Sequence, residues 1–363
     1  MIQPSNDFVD EYVDTMKKNA SETEFKETMI DFVNTELRYE GSTDRGYPNW
    51  MMMLLFKGEN ARSKLSVQVG AHSPHSAALG TTIRGAFGDY NRDDLGKIDY
   101  FQPSVVAPLT DKCNREYLEV FAKYAQNDGG VVDHWWFEHD GDTDGDGQID
   151  DHETGLLMIK PDNLERPSSL PGHIIDMIST TGLHCRGCKV FSMTPAMGRD
   201  FYGFLGEVFE KKLVGLVEKK LRRQIGSRTM GFRVSDEEYE NMAGVLAKSN
   251  ATHEVNSIME YMTGIHPDEV KEGEEHFEGP AKCFGLLYSG EHAIERIRAK
   301  LGNTNPDEAA VGSVRSDYGK DVMRNGAHAS DAVDRAFEER KIVGLTGDEP
   351  SEEVAIIRTF LDK

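Results

Sequence analysis

LLYSGEHAIERIRAKLGNTNPDEAAVGSVRSDYGKDVMRNGAHASD, residues 286–331, is a second version of LLFKGENARSKLSVQVGAHSPHSAALGTTIRGAFGDY, residues 54–90. Gly58/Gly290, Glu59/Glu291, Ala61/Ala293, Gly70/Gly302, Pro74/Pro306 and Gly80/Gly312 keep one register, and one inserted residue then aligns Arg84 with Arg315. An internal repeat of this kind marks a duplicated structural unit. The copies differ where chemistry would sit. Ser66 and His72 of the first copy stand where the second has Arg298 and Thr304. The position of His328 falls at Ala107 if a stretch is inserted after Tyr90. Function is therefore expected in the second copy.

Outward from that stretch, the second unit reads as strand 155–159, helix 171–180, strand 185–193 and helix 195–210. A charged insertion over 213–276 follows, then strand 281–288, helix 291–301 and a last helix from about Asp331. Ser330 is a good N-cap for that helix, which would carry Val333, Ala336 and Phe337 inward. Strands and helices in this order point to an α+β fold, helices packed on one sheet. Ahead of it, residues 5–37 have helical apolar spacing through Phe8, Val9, Tyr12, Val13 and Met16. The run 51–56 reads as a strand and 115–125 as a helix. The expected organisation is a degenerate copy at 1–137, an acidic joint at 138–153, the intact unit at 154–345 and a tail at 346–363.

The chain carries 41 basic and 63 acidic residues, a formal charge of −22, which argues against a broad nucleic-acid surface. A polyanionic substrate would have to be met by a local cluster of Arg and Lys. The insertion's run KKLVGLVEKKLRRQ could grip phosphates or form a solvated helix face. Four cysteines suggest a reducing compartment, and the Cys185–Cys188 pair reads as structural thiols, half of a zinc site or a redox pair. No apolar stretch approaches a membrane span, and the first residues lack a secretory signal pattern, so a cytoplasmic protein is expected.

DTDGDGQIDDHE, residues 142–153, matches a twelve-residue calcium loop. Asp142, Asp144, Asp146, Gln148, Asp150 and Glu153 would supply oxygens, and Gly147 the sharp turn. Its exit is a strand rather than a helix, so a Ca²⁺ clamp and a plain acidic linker both stay open. His72 and His75 are a weaker metal pair.

The second copy also carries a phosphate inventory. Lys160 ends a strand just before Pro161, and Arg298, Thr304 and Arg315 bracket a Gly/Asn/Pro loop. Guanidinium forks suit phosphate oxygens because two parallel charge-assisted bonds fix position and charge together. Asn325 and His328 stand three apart ahead of Ser330, with Glu339 on the following helix. A lone histidine before a helix is ordinarily structural. In this company it reads as a nucleophile, its second ring nitrogen held by an acidic partner.

MIKPD (158–162), RAKLGNTNP (298–306), GSVRSDY (312–318) and RNGAHASD (324–331) together resemble the nucleoside diphosphate kinase family. The resemblance covers about 154–345 apart from the insertion. It implies a ferredoxin-like βαββαβ antiparallel sheet and ping-pong transfer of a γ-phosphoryl group between nucleoside tri- and diphosphates. His328 would be phosphorylated, Glu339 would orient it, and Ser330 and Asp331 would complete its surroundings. Lys160, Tyr202, Arg298, Thr304, Arg315 and Asn325 would bind the nucleotide, and Mg²⁺ would arrive with the phosphates. The resemblance also implies oligomers, which the degenerate copy could replace by packing on the active unit. Two departures stand out. Asn163 and Ala329 replace family glycines, and the methyl of Ala329 is expected to crowd an incoming phosphate. The base-stacking phenylalanine falls in the insertion. A scaffold or sensor that binds nucleotide with little turnover is the competing expectation.

Overall fold

Leu156, Leu157, Met158 and Ile159 form an unbroken apolar run, and the computed structural model places it inside a sheet with all four side chains buried. Residues 1–19, 26–38, 49–71, 80–108, 110–125, 130–134, 137, 152–225, 227–348 and 351–363 are described. They fall into two compact units, residues 1–137 with 346–363, and residues 138–345.

The first unit begins with α1 (Asn6–Asn19) and α2 (Lys26–Leu37), then α3 (Ala61–Val69), α4 (Ile83–Phe87), the hairpin β1 (Asp89–Arg92) and β2 (Ile98–Gln102), and α5 (Asp111–Tyr124). Phe8, Val9, Tyr12, Val13 and Met16 of α1 are buried, as their spacing requires. The expected strand over 51–56 does not form. Met51 bridges Ile2, and the rest of the run takes no regular structure and joins no ladder among the described residues, with Met52, Leu54 and Phe56 exposed. An apolar run specifies a strand only where a neighbouring backbone is available to pair with it.

The second unit contains β3 (Glu153–Ile159), α6 (Leu170–Ser179), β4 (His184–Ser192), α7 (Pro195–Tyr202), α8 (Leu205–Gln224), α9 (Ser227–Met230), α10 (Asp236–Thr263), β5 (Lys282–Gly290), α11 (Ala293–Leu301), α12 (Val314–Tyr318), β6 (Ala327–Ala329) and α13 (Val333–Val343). A final helix, α14 (Glu352–Leu361), occupies the stretch read as a tail and belongs to the first unit, where Val354 and Ile357 join its core. The sheet order is β4-β5-β3-β6 and every pairing is antiparallel, the ferredoxin-like βαββαβ arrangement. Leu157 pairs with Ala329, Met158 with His328 and Ile159 with Ala327, so the three residues of β6 are fixed by the best-buried strand of the unit. Burial of that strand contributes about 1.5–3 kcal/mol per side chain.

Between α7 and β5 the insertion forms a helical hairpin. α10 starts at a capping box of Ser235 and Glu238, ends at Gly264 (φ +78°), and buries Ala243, Ala247 and Ala251 at four-residue spacing. In the basic run, Arg222 pairs with Glu218 on its own helix and with Asp236 on α10, which favours the solvated-face reading there. Cys185 and Cys188 are free thiols on β4, and burial pushes Cys185 up to about 12. A thiol held so far above neutral pH does not suit redox exchange.

The two aligned stretches also share local backbone features. α3 and α11 both start from a left-handed residue, Asn60 (φ 54°) and His292 (φ 50°), and both end at a glycine, Gly70 (φ 89°) and Gly302 (φ 83°). Thr82 and Ser313 cap α4 and α12, and Arg84 and Arg315 follow two residues later. Arg84 donates to the carbonyls of Gly70 and Val105, whereas Arg315 donates to those of Gly302 and Ala327. Counted from these acceptors, Val106 stands one residue beyond Val105 as His328 stands one beyond Ala327, next to the Ala107 that the sequence register offers. His72 and His75 lie outside the described residues.

A Cβ on Gly302 would meet Ser313 Oγ at 2.4 Å, while one on Gly312 (φ +81°) would meet nothing within 4 Å. Gly302→Ala should therefore cost about 1–3 kcal/mol and lower the melting temperature by several degrees. Gly312→Ala, which adds backbone strain alone, should cost less. Paired thermal melts compare them.

Candidate active site

Strand alternation puts Ala327 and Ala329 in the interior and turns His328 to the other face, where it is partly exposed. The methyl of Ala329 thus points away from the imidazole, and the expected crowding beside the nucleophile does not arise. His328 Nε2 lies 3.0 Å from Glu339 Oε2, and the glutamate side chain is only 3% exposed. Ser330 Oγ donates to the same oxygen at 2.6 Å. Burial pushes the Glu339 carboxyl up, but bonds from His328 and Ser330 and the charge of Arg335 outweigh it and leave it below the usual range. A carboxylate on Nε2 holds the proton there and leaves the lone pair on Nδ1. The Phe201 ring meets the imidazole edge-on, centroids 5.1 Å apart.

Glu339 occupies an inward position of α13 together with Ala336 and Val343. Val333 and Phe337, expected inside, are about half exposed. The buried stripe of this helix is completed by a carboxylate that the core would otherwise exclude.

Lys160 follows β3 directly. Its Nζ donates to Asn325 Oδ1 at 2.7 Å and to the Met323 carbonyl at 3.0 Å, with no carboxylate bonded to it among the described residues. Burial, and then the charge of Arg315, bring Lys160 down to about 8. Asn325 is buried and donates to the carbonyls of Thr304 and Val322, so it links the lysine to the loop after α11. The Thr304 side chain itself faces solvent. Arg315 uses Nη1 and Nη2 on backbone carbonyls, and its buried Nε has no partner. Burial and the neighbouring Arg298 charge bring Arg315 down to about 10. Arg298 is exposed, its guanidinium makes no hydrogen bond or ion pair among the described residues, and it lines a cavity of about 570 Å³ with Glu153, Glu295 and Asp331. Tyr202 is buried with its hydroxyl unsatisfied. Burial, then the charges of Cys283 and Glu339, hold that hydroxyl well above its usual range.

Asn163, at a family glycine position, is buried, and its Nδ2 donates to the Gly326 carbonyl at 3.0 Å. Lys160 N donates to that carbonyl as well. The turn after β3 is thereby tied to the residue before β6. Tyr261 of α10 donates to Asp162 Oδ1 at 2.5 Å, an anchor absent from the sequence reading. Arg335 was missed too, although its i,i+4 spacing to Glu339 was a signal.

Of the calcium-loop residues, Asp142, Asp144, Asp146, Gln148 and Asp150 lie outside the described residues. Glu153 opens β3, and its Oε2 accepts from Ile294 N at 3.3 Å, at the start of α11. Among the described residues no three His, Cys, Asp or Glu side chains are grouped to hold a metal.

The nucleoside diphosphate kinase family model matches residues 273–344, from the loop before β5 to the end of α13. A nucleoside diphosphate kinase of Staphylococcus carnosus is 34% identical over 148 residues, 39% of this chain and 84% of that protein. The chain belongs to the nucleoside diphosphate kinase family. A relative from Haloquadratum walsbyi, also named a nucleoside diphosphate kinase, is 26% identical over 191 residues, 53% of this chain and 82% of its own. The Aquifex aeolicus enzyme of the same name aligns with a TM-score of 0.32 and 21% identity, covering 53% of this chain and 94% of that one. The nucleoside diphosphate kinase match falls on the second copy of the repeat.

Since Lys160 gives up its proton near pH 8, its attraction for an anion should fade as pH rises through that value. Pyrophosphate affinity, measured by calorimetry from pH 7 to 9.5, should fall roughly tenfold more in the native protein than in Lys160→Met, which subtracts the ligand's own titration.

Proposed function

We propose that the second unit exchanges γ-phosphoryl groups between nucleoside tri- and diphosphates through a phosphohistidine on His328. The observation that carries the reading is the imidazole itself. Nε2 is bound to a buried carboxylate, Nδ1 makes no hydrogen bond or ion pair among the described residues, and the carbonyl of the preceding residue, Ala327, accepts from Arg315.

In the forward half-reaction Nδ1 attacks the γ-phosphorus. The Nδ1–P bond forms, the bond from phosphorus to the β,γ-bridging oxygen breaks, and the nucleoside diphosphate departs with that electron pair. The Nε2 proton stays on the ring, and Glu339 balances the positive charge that develops there. Lys160, Arg298 and Arg315 offset charge on the phosphates, and the unpartnered Arg315 Nε is a donor left for an oxygen. Transfer of this kind needs positioning and charge neutralisation more than covalent help, which suits a site built from fixed donors. The return step reverses these bonds onto a second nucleoside diphosphate. Mg²⁺ would enter on the nucleotide and be held by its phosphate oxygens.

Incubation with labelled ATP should leave acid-labile phosphate on the native protein and none on His328→Ala. Equal labelling of the two would refute the assignment. Nucleotide binding without any GDP-to-GTP conversion would favour the scaffold alternative. Arg315→Lys should slow transfer by roughly a hundredfold, because a point charge cannot replace two carbonyl-anchored bonds plus a free Nε–H.

A further inference from the structure

Arg335 stands one turn before Glu339 on α13. Its Nε lies 3.3 Å from Glu339 Oε1, the oxygen that His328 and Ser330 leave unused. Its Nη2 donates to the Phe201 carbonyl at 3.0 Å, and its guanidinium lies 4.1 Å from the centroid of the Phe204 ring. Phe201 is the residue whose ring meets the His328 imidazole edge-on. One side chain thus holds both the carboxylate behind the imidazole and the aromatic group beside it.

We infer that Arg335 is a positioning residue for the phosphoryl-accepting imidazole, fixing the direction of the Glu339 carboxylate and pinning the end of α7 against the ring. The inference rests on the reading of His328 as the nucleophile. A planar fork suits this task because it can bind a carboxylate edge and a carbonyl while stacking on a ring, which an ammonium group cannot do. Charge adds a second effect. The ionisable groups facing Glu339 are His328 from β6, Arg335 from its own helix and Tyr202 from α7. Of these, Arg335 is the permanent cation, so a second positive charge beside the same carboxylate is disfavoured. A change of charge at Arg335 should therefore be felt at the imidazole as well as at the carboxylate.

Two variants and two readouts test this. Carbethoxylation of His328 by diethyl pyrocarbonate, followed by mass spectrometry between pH 5 and 8, reports the neutral ring without requiring turnover. Steady-state GDP-to-GTP conversion with ATP as donor reports kcat and KM. In Arg335→Met the half-modification point should move to higher pH, to about threefold lower proton concentration, because a competing cation is gone. Its kcat should fall roughly tenfold while the KM for ATP changes less than about twofold. Arg335→Lys should keep the native half-modification point but still lose rate, since charge is restored and the fork is not. A lowered melting temperature with an unmoved half-modification point and unchanged kcat would overturn the inference. So would an effect confined to KM. A native protein that accepts no phosphate would defeat the kinase reading, while the carbethoxylation series would still decide what Arg335 does to the ring.

Discussion

Two half-buried cations held by carbonyl oxygens set the terms for the second unit. Lys160 and Arg315 are each partly covered, and among the described residues no carboxylate is hydrogen-bonded to either. Withdrawing a cation from water without a bonded carboxylate is expensive, and here oriented dipoles from Gly302, Met323, Ala327 and Asn325 offset the cost. A carboxylate partner would be cheaper to build and would fill the place an anion should take. The positive φ of Gly302, the turn at Asn163 and the position of β6 beside β3 all serve to aim those carbonyls. In a chain with a formal charge of −22, this local arrangement is what makes an anionic ligand plausible at all.

Much of the sheet was legible in the sequence because its longer strands are apolar runs bounded by turn residues. Strands β3, β4 and β5 fall within about two residues of their expected limits. β6 was not legible, since three residues carry no period and Ala-His-Ala has no strand signature apart from its partner. The run 51–56 shows the opposite failure, a strand-like composition with no ladder to join. On α13 the inward stripe was misread because one of its core positions is a glutamate. The phosphate inventory was readable as residue types. What could not be read was how they are held, since the Lys160–Asn325 and Asn163–Gly326 bonds join residues more than 160 positions apart.

The repeat separates what maintains a backbone from what performs chemistry. Glycine at a left-handed helix end, a hydroxyl cap and an arginine tying two carbonyls recur in both copies. In the first copy the arginine's Nε also bonds the Val105 carbonyl, so the guanidinium has donors on protein at all three nitrogens. In the second, Nε is left over. The first stretch shares this local framework but engages the Nε donor that the second leaves over.

Glu339 also bears on which product the ring can form. Both of its oxygens are engaged, Oε2 by His328 and Ser330 and Oε1 by Arg335. Turning the imidazole over would put Cε1 where Nε2 stands, break the Nε2 bond and leave a buried carboxylate short of a partner. A group arriving from solvent would therefore find Nδ1 as the one nitrogen on offer, and an adduct formed there would be one regioisomer rather than a mixture.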